Sequence, residues 1–149
     1  MSTAREAEVG DILEDLVNQF SDPMAFFREL IQNSIDAGSL EVDIRIEYNP
    51  GDGDKGSLIA HIDDFGEGMT REIIETKLTR LFSSTKDDDF TKIGRFGIGF
   101  VSVFAVEPDA VILDTARGGE AWRVIFHPDR TYDLIRLDVP VEGTQVKVI

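Results

Sequence analysis

The sequence predicts an α+β fold, a two-layer sandwich with helices on one face of a mixed, mostly antiparallel sheet. Three observations support this fold class. Apolar residues recur at helical spacing before Gly38, they alternate with a period of two directly after it, and they fill short strand-like runs in the last third. Tight connections containing glycine or proline separate those runs, and such connections are typical of antiparallel strands.

Four helices are expected. The spacing of apolar residues from Val9 to Phe20 predicts the first. Ser21-Asp22-Pro23 then offers an N-cap and a first-turn proline for a second helix, which Gly38 should end. A third helix is predicted over Thr70–Phe82 with Thr70 as its N-cap, and a fourth over the apolar run Phe100–Val106.

Strands are predicted on both sides of the third helix. Val42, Ile44 and Ile46 alternate with charged residues, which indicates a half-buried strand, and Leu58–Ile62 should form a second. Four more strand-like runs occupy residues 110–116, 121–126, 132–137 and 144–149. The polar segment Ser83–Lys92 is predicted to be a mobile loop.

Composition limits the possible functions. The 149 residues include 15 Lys+Arg, 29 Asp+Glu and no cysteine, for a net charge of −14. This length predicts a single domain over residues 1–149, and we expect it to be the N-terminal part of a longer protein, because the chain stops inside a strand-like run. The lack of cysteine excludes disulfides and cysteine-ligated zinc, and the acidic charge disfavours direct contact with nucleic acid. With no long apolar run and no signal segment, we expect no membrane association and a cytoplasmic location.

The first motif with chemical potential lies in the second predicted helix. Glu29, Asn33 and Asp36 share one helical face, because residues three and four positions apart are neighbours. Carboxylate and amide oxygens are ligands that Mg²⁺ prefers, and a carboxylate one turn away could orient or deprotonate a water. A solvated polar face with ordinary caps is the alternative for this segment taken alone.

Two glycine motifs follow. Asp64-Phe65-Gly66-Glu67-Gly68 stands at a strand end, where an ionised carboxylate can accept a hydrogen bond from an exocyclic amine and glycines allow close backbone approach. Gly94, Gly97 and Gly99 precede the fourth predicted helix, and free amides at a helix start bind phosphate well. A glycine-rich turn and a hinge are the respective alternatives. The phosphate-loop signature GxxxxGK[ST] is absent, which excludes that class of nucleotide enzyme.

The order and spacing of these motifs resemble the GHKL ATPase superfamily of gyrase, the ninety-kilodalton heat-shock chaperone, sensor histidine kinases and the mismatch-repair ATPase. The resemblance includes E-L-x-x-N-x-x-D-A at 29–37, D-x-G-x-G at 64–68, the glycine lid at 94–99 and G-T-x-V at 143–146. The run Ile93–Phe104 is most similar to the heat-shock chaperone branch, whereas Ser83–Lys86 resembles the mismatch-repair branch.

The resemblance implies Mg²⁺-dependent binding of ATP and ADP, and slow ATP hydrolysis that drives a conformational switch, as in a chaperone-like ATPase. By this likeness Glu29 is the general base, Asn33 coordinates Mg²⁺, and Asp64 receives the adenine amino group with support from Thr144. The other implied nucleotide contacts are Asp36, Ala37, Gly66, Gly68, Met69, Lys86, Gly94, Gly97, Ile98, Gly99 and Phe100.

Other functions stay open at this point. The chain could be a nucleotide-binding regulatory or interaction module without turnover, or the ATPase domain of a protein kinase or of a DNA-repair or DNA-topology protein. His61 and His127 are the only histidines and both fall in strand-like segments, which disfavours a histidine kinase. The partners implied are an adenine nucleotide, downstream domains of the same protein and a client protein, with a nucleotide-dependent dimer of the full-length protein.

Overall fold

The computed structural model describes residues 13–51, 56–83 and 95–149. The helical segments are α1 (residues 13–18), α2 (Ala25–Asp36), α3 (Arg71–Ile73), a π-helix (Ile74–Leu78), α4 (Arg80–Ser83), α5 (Arg95–Phe100) and a 3₁₀-helix (Val101–Val106). The strands are β1 (Val42–Asn49), β2 (Ser57–Asp64), β3 (Val111–Arg117), β4 (Glu120–Phe126), β5 (Tyr132–Leu137) and β6 (Thr144–Val148). The predicted α+β fold is confirmed. In this part of the chain no helix is long and apolar enough to cross a membrane.

The six strands form one sheet in the order β1-β2-β6-β3-β4-β5. Each of the pairings among the described strands is antiparallel, so the sheet there is antiparallel rather than mixed. The last strand, β6, is inserted between β2 and β3. This insertion brings Thr144, at the start of β6, next to the end of β2.

One face of the sheet packs against the helices. A row of buried side chains crosses four adjacent strands in register, from Ile62 through Val146 and Leu113 to Val124. Because alternate residues of a strand point to opposite faces, Asp63, between Ile62 and Asp64, lies on the other, polar face. We call these two surfaces the inner and the outer face.

An aromatic cluster joins the two layers. The ring of Phe126 on β4 lies with its centroid 5.0 Å from Phe82, 5.1 Å from Phe100 and 6.0 Å from Phe104. Phe82, Phe100 and Phe104 belong to helical segments, and Tyr132 of β5 completes the cluster at 6.1 Å. Phe126 is fully buried, so the cluster excludes water from the interface between sheet and helices.

Helix α2 ends as predicted but begins later than expected. Asp22 is not its N-cap residue; its Oδ1 accepts a hydrogen bond from the backbone N–H of Met24 at 2.9 Å, and the helix starts at Ala25. At the other end Gly38 has φ +81°, its N–H donates to the carbonyl of Ile35, and the next N–H donates to the carbonyl of Ser34. These two bonds form the Schellman motif, which needs a left-handed residue after the helix.

The third predicted helix is present but interrupted. Thr70 is its N-cap, since the hydroxyl accepts a hydrogen bond from the N–H of Ile73 at 3.3 Å. The middle turn is a π-helix, in which the N–H of Thr79 donates to the carbonyl of Ile74 at 2.8 Å. The hydroxyl of Thr79 donates to the same carbonyl, at 3.2 Å, and supports the wider turn.

The fourth predicted helix begins earlier than the sequence suggested. It starts at Arg95 instead of Phe100, and it continues into the 3₁₀-helix. Gly97, Ile98 and Gly99 are therefore helical residues. Of the polar segment Ser83–Lys92, all but Ser83 lies outside the described residues.

The contrast between a buried and an exposed leucine tests this description of the core. Leu78 is 0% exposed and Leu40 is fully exposed. We expect Leu78→Ala to lower the free energy of unfolding by about 2–5 kcal/mol, because it removes buried methyl groups and leaves a cavity. Leu40→Ala should change it by less than about 0.5 kcal/mol. Urea unfolding of both variants measures the difference, and equal losses would contradict the packing described.

Candidate functional site

The buried carboxylate of Asp64, at the end of β2, is the centre of the candidate site. Only 7% of the surface of Asp64 is exposed to solvent. Oδ1 accepts hydrogen bonds from the backbone N–H of Gly66 at 3.0 Å and of Thr144 at 3.1 Å, and Oδ2 accepts one from the Ser34 hydroxyl at 2.9 Å. A carboxylate offers about four acceptor positions, so one position on Oδ2 is left for a donor from a ligand.

A second buried hydroxyl fixes the loop that follows Asp64. Thr115 on β3 is fully buried, and its Oγ1 accepts a hydrogen bond from the N–H of Met69 at 2.9 Å. The same oxygen lies 2.9 Å from Oγ1 of Thr144 and 3.2 Å from the carbonyl of Gly143. Thr115 therefore ties Met69, which follows the glycine motif, to the start of β6.

These residues surround a cavity of about 40 Å³. Seven of the residues proposed as nucleotide contacts line it: Asn33, Ala37, Asp64, Gly68, Met69, Phe100 and Thr144. The rest of the lining is mainly aliphatic and includes Leu30, Ile62 and Leu113. The described walls enclose room for a few water molecules, so a purine ring needs these walls to move apart.

The polar face of α2 meets the end of the glycine motif. A Cβ atom built on Gly99 would stand 3.0 Å from Oε2 of Glu29 and 3.7 Å from Oδ1 of Asn33. The carboxylate of Glu29 is half-buried and forms no hydrogen bond or ion pair with any described residue. The structure thus brings Glu29, Asn33 and Gly99 together.

The amide of Asn33 is the unpaired group of this site. Asn33 is buried, and its Nδ2 has no hydrogen-bond partner in the described part of the chain. Burying a polar group without a hydrogen-bond partner costs about 1–3 kcal/mol of folding free energy. The Nδ2 of Asn33 is therefore suited to donate a hydrogen bond to a ligand. Across residues 13–51, 56–83 and 95–149 no cluster of three or more acidic or histidine side chains could hold a metal ion.

The structure does not bring Asp36 to the cavity. This carboxylate is exposed at the last turn of α2, where Oδ1 accepts a hydrogen bond from Nε2 of Gln32 at 2.9 Å. Its neighbour Ala37 does line the cavity, and the carbonyl of Ala37 accepts the N–H of Glu67 at 3.0 Å. A Cβ atom on Gly66 would stand 2.8 Å from that carbonyl, so the loop can approach α2 because Gly66 has no side chain.

The remaining predicted nucleotide contacts lie in α5 or in the segment that precedes it. Gly97 is buried within α5, and Ile98 is half-buried against the core. Lys86 and Gly94 lie outside the described residues. Sequence reasoning missed Ser34 and Thr115; a hydroxyl among the apolar residues of a predicted strand was the available signal for Thr115.

Comparison with known proteins identifies relatives of this arrangement. A family model described as "Histidine kinase-, DNA gyrase B-, and HSP90-like ATPase" matches residues 25–129. Chaperone protein HtpG of Methylococcus capsulatus is 32% identical over 173 residues, which covers 95% of this chain and 26% of that protein. The HtpG proteins of Coxiella burnetii (32% identical, 95% and 26% covered) and Nitrobacter hamburgensis (30% identical, 95% and 27% covered) also match. The chain therefore spans about a quarter of the length of these curated relatives.

A pair of glycines tests the close approach around Asp64. Gly143 and Gly118 both have φ +64°, but a Cβ on Gly143 would collide with the backbone carbonyl of Asp64, whereas a Cβ on Gly118 would meet nothing within 4 Å. Gly118→Ala should cost about 1 kcal/mol, from the left-handed backbone alone. We expect Gly143→Ala to lower the free energy of unfolding by about 1–3 kcal/mol more than Gly118→Ala, because the backbone must shift. Chemical unfolding of both variants measures the difference. Equal losses would show that the approach is not tight.

Proposed function

The chain belongs to the family of histidine kinase-, DNA gyrase B- and HSP90-like ATPases, and from that premise we propose that it binds ATP and ADP with Mg²⁺ and hydrolyses ATP slowly. The cycle would drive a conformational switch, as in a chaperone-like ATPase. The observation that carries the proposal is the buried Asp64 carboxylate, which keeps one acceptor position beside a cavity with mainly aliphatic walls.

The chemistry of Asp64 favours adenine over guanine. The exocyclic amine of adenine can donate to the free position on Oδ2, and Met69, Leu30 and Phe100 supply apolar surface for the ring. Guanine carries a carbonyl at the corresponding ring position, so two acceptors would face each other. A buried acceptor without a donor costs about 1–3 kcal/mol, which is sufficient for selectivity of roughly tenfold or more.

Asn33 fits the Mg²⁺ that accompanies the phosphates. Its amide is buried, and Oδ1 presents a hard oxygen ligand next to Gly99, while the unpaired Nδ2 can donate a hydrogen bond to a phosphate oxygen. Mg²⁺ is held by few protein ligands together with phosphate oxygens, and when bound it neutralises and orients those phosphates. A protein with a net charge of −14 has particular need of that neutralisation.

Glu29 is suited to activate the attacking water. Among the described residues no cation or hydrogen-bond donor occupies its carboxylate, which therefore can accept a proton. In the proposed reaction the water oxygen bonds to the γ-phosphorus while its proton passes to Glu29. The bond from the γ-phosphorus to the bridging oxygen breaks, and ADP and inorganic phosphate are released.

The proposal extends to the rest of the protein. We propose that residues 1–149 form one ATP-binding domain in the N-terminal part of a longer cytoplasmic protein, whose downstream domains complete turnover. A client protein and a nucleotide-dependent dimer of the full-length protein are proposed by analogy with the HtpG relatives, which are named as chaperones.

A module that does not bind or hydrolyse nucleotide is the second candidate. The small volume of the cavity, about 40 Å³, favours it. Thermal unfolding with ADP and Mg²⁺ separates the two candidates, because a ligand that binds only the folded state raises the midpoint. An unchanged midpoint together with no heat in calorimetric titration would favour the module.

Asp64→Asn tests recognition of adenine without disrupting the fold. The amide oxygen can still accept from Gly66 and Thr144, and the Ser34 hydroxyl retains the carbonyl of Leu30 as an acceptor at 3.0 Å. The amide nitrogen would face the adenine amine as a second donor, so we expect calorimetric titration to show ADP affinity at least about tenfold lower.

The matched control is Asp63→Asn, on the outer face of the same strand. Burial raises the pKa of Asp63, so an uncharged amide is readily accommodated there. This variant should bind ADP like the original chain. Equal affinities for the two variants would remove Asp64 from the adenine site.

Glu29→Gln tests the general base. The amide has nearly the same shape as the carboxylate but cannot take the proton, so we expect ATP to bind normally and turnover to fall about 10²–10⁴-fold. A phosphate-release assay with the longest active form of the protein measures this. The exposed Glu72→Gln should retain full turnover, and unchanged turnover in Glu29→Gln would exclude the role.

A further inference from the structure

Strand β1 is an edge of the sheet in the described part of the chain. Among the described residues it is paired with β2 alone, in a continuous register from Val42 to Asn49. Seven of its eight residues are exposed, and it contains neither proline nor a bulge in that register. The free N–H and C=O groups of such an edge are a template for another strand. We propose that β1 pairs antiparallel with β1 of a second copy of this chain, about a two-fold axis at Ile46.

The inner face of β1 is apolar where it is most exposed. Ile44, Ile46 and Tyr48 are 45%, 57% and 62% exposed, and Leu58 on β2, opposite Tyr48, is 63% exposed. A groove of about 600 Å³ adjoins this surface and reaches Met24 on the approach to α2. Strand pairing between two copies joins their inner faces into one surface and places Ile44, Ile46 and Tyr48 of one copy against those of the other.

The charges of β1 specify a second copy as the occupant. Asp43, Arg45 and Glu47 alternate along the outer face of the strand. With Ile46 on the axis, Arg45 of each copy lies opposite Glu47 of the other, and Asp43 lies opposite Asn49. Ile44 lies opposite Tyr48 on the inner face, which is a favourable aromatic and β-branched pair.

The other two-fold registers either oppose like charges or pair only a few residues. An axis at Arg45 places Arg45 against itself and Asp43 against Glu47, and an axis at Ile44 brings Glu41 against Glu47. Axes at Asp43 or Glu47 pair that residue with its own copy. An axis at Tyr48 avoids like charges but pairs only three of the eight residues, whereas the axis at Ile46 pairs seven. The strand is therefore complementary to itself in one extended register.

A hydrogen bond within the chain orients Glu47 for the proposed ion pair with Arg45 of the second copy. Its Oε2 accepts a hydrogen bond from Nε2 of His61 at 3.0 Å, and that bond lowers the pKa of Glu47. The carboxylate is thus ionised at neutral pH, with Oε1 free for the guanidinium of the second copy. The association uses no nucleotide and no downstream domain, which distinguishes it from the nucleotide-dependent dimer proposed for the full-length protein.

Cysteine cross-linking tests the register directly, because the chain contains no cysteine. Directly opposed residues in antiparallel strands have Cα atoms about 4.5–5.5 Å apart, within reach of a disulfide. Mild oxidation of Ile46→Cys should therefore convert the 16.6 kDa chain into a covalent dimer. In the matched Ile44→Cys variant the two sulfurs belong to residues about 13 Å apart along the strands, so we expect at least tenfold less dimer. More dimer from Ile44→Cys, or equally little from both, would overturn the proposal.

Charge exchange gives an independent readout by sedimentation of the reduced, nucleotide-free chain. Arg45→Glu or Glu47→Arg alone should shift the chain toward monomer, since each creates two like-charge pairs. The double variant Arg45→Glu with Glu47→Arg should restore the dimer, because the opposed charges are exchanged and complementary again. Circular dichroism melting verifies that each variant is folded. A wild-type chain that is monomeric throughout the micromolar range, or a folded double variant that stays monomeric, would overturn the proposal, even if the single variants sediment as expected.

Discussion

The buried carboxylate of Asp64 is the constraint on which the site and the sheet order depend. A charge in such a place is costly unless hydrogen bonds compensate it. Its donors come from three places in the chain: Ser34 is 30 residues earlier, Gly66 is two residues later, and Thr144 is 80 residues later. To satisfy one side chain, α2, the loop after β2 and the start of β6 must converge. The insertion of β6 between β2 and β3 places Thr144 there.

Local patterns predicted the elements of the fold better than their long-range contacts. The change of period at Gly38 and the cap at Thr70 are properties of neighbouring residues, and both are confirmed. The roles of Ser34 and Thr115 depend on partners 28 or more residues away, which periodicity does not encode. Asp36 shows a related limit of prediction from sequence. Helical spacing places it on the same face of α2 as Asn33, but it does not show that the cavity ends before the last turn of the helix.

The glycine motif before Phe100 has a steric explanation as well as a conformational one. The assignment of the glycines to phosphate binding through free amides stays a prediction, and Gly97 and Gly99 lie in α5, with Gly97 in its first turn. Glycine in a helix costs roughly 1 kcal/mol relative to alanine, so its presence needs a compensating contact. Gly99 has one: without a side chain, the backbone can approach Oε2 of Glu29 closely. Gly99 therefore serves the packing of α5 against the polar face of α2.

Strand β2 lies between the candidate site and the edge strand β1, and the two do not overlap. Asp64 at its end is in register with Val42, the first residue of β1. The proposed axis at Ile46 is four residues further along β1, or about 13 Å. The cavity is lined by residues of α2, α5, the loop after β2 and strands β2, β3 and β6, and β1 contributes none of them. A second copy added at β1 therefore leaves the cavity accessible, and association and ligand binding can occur on the same molecule.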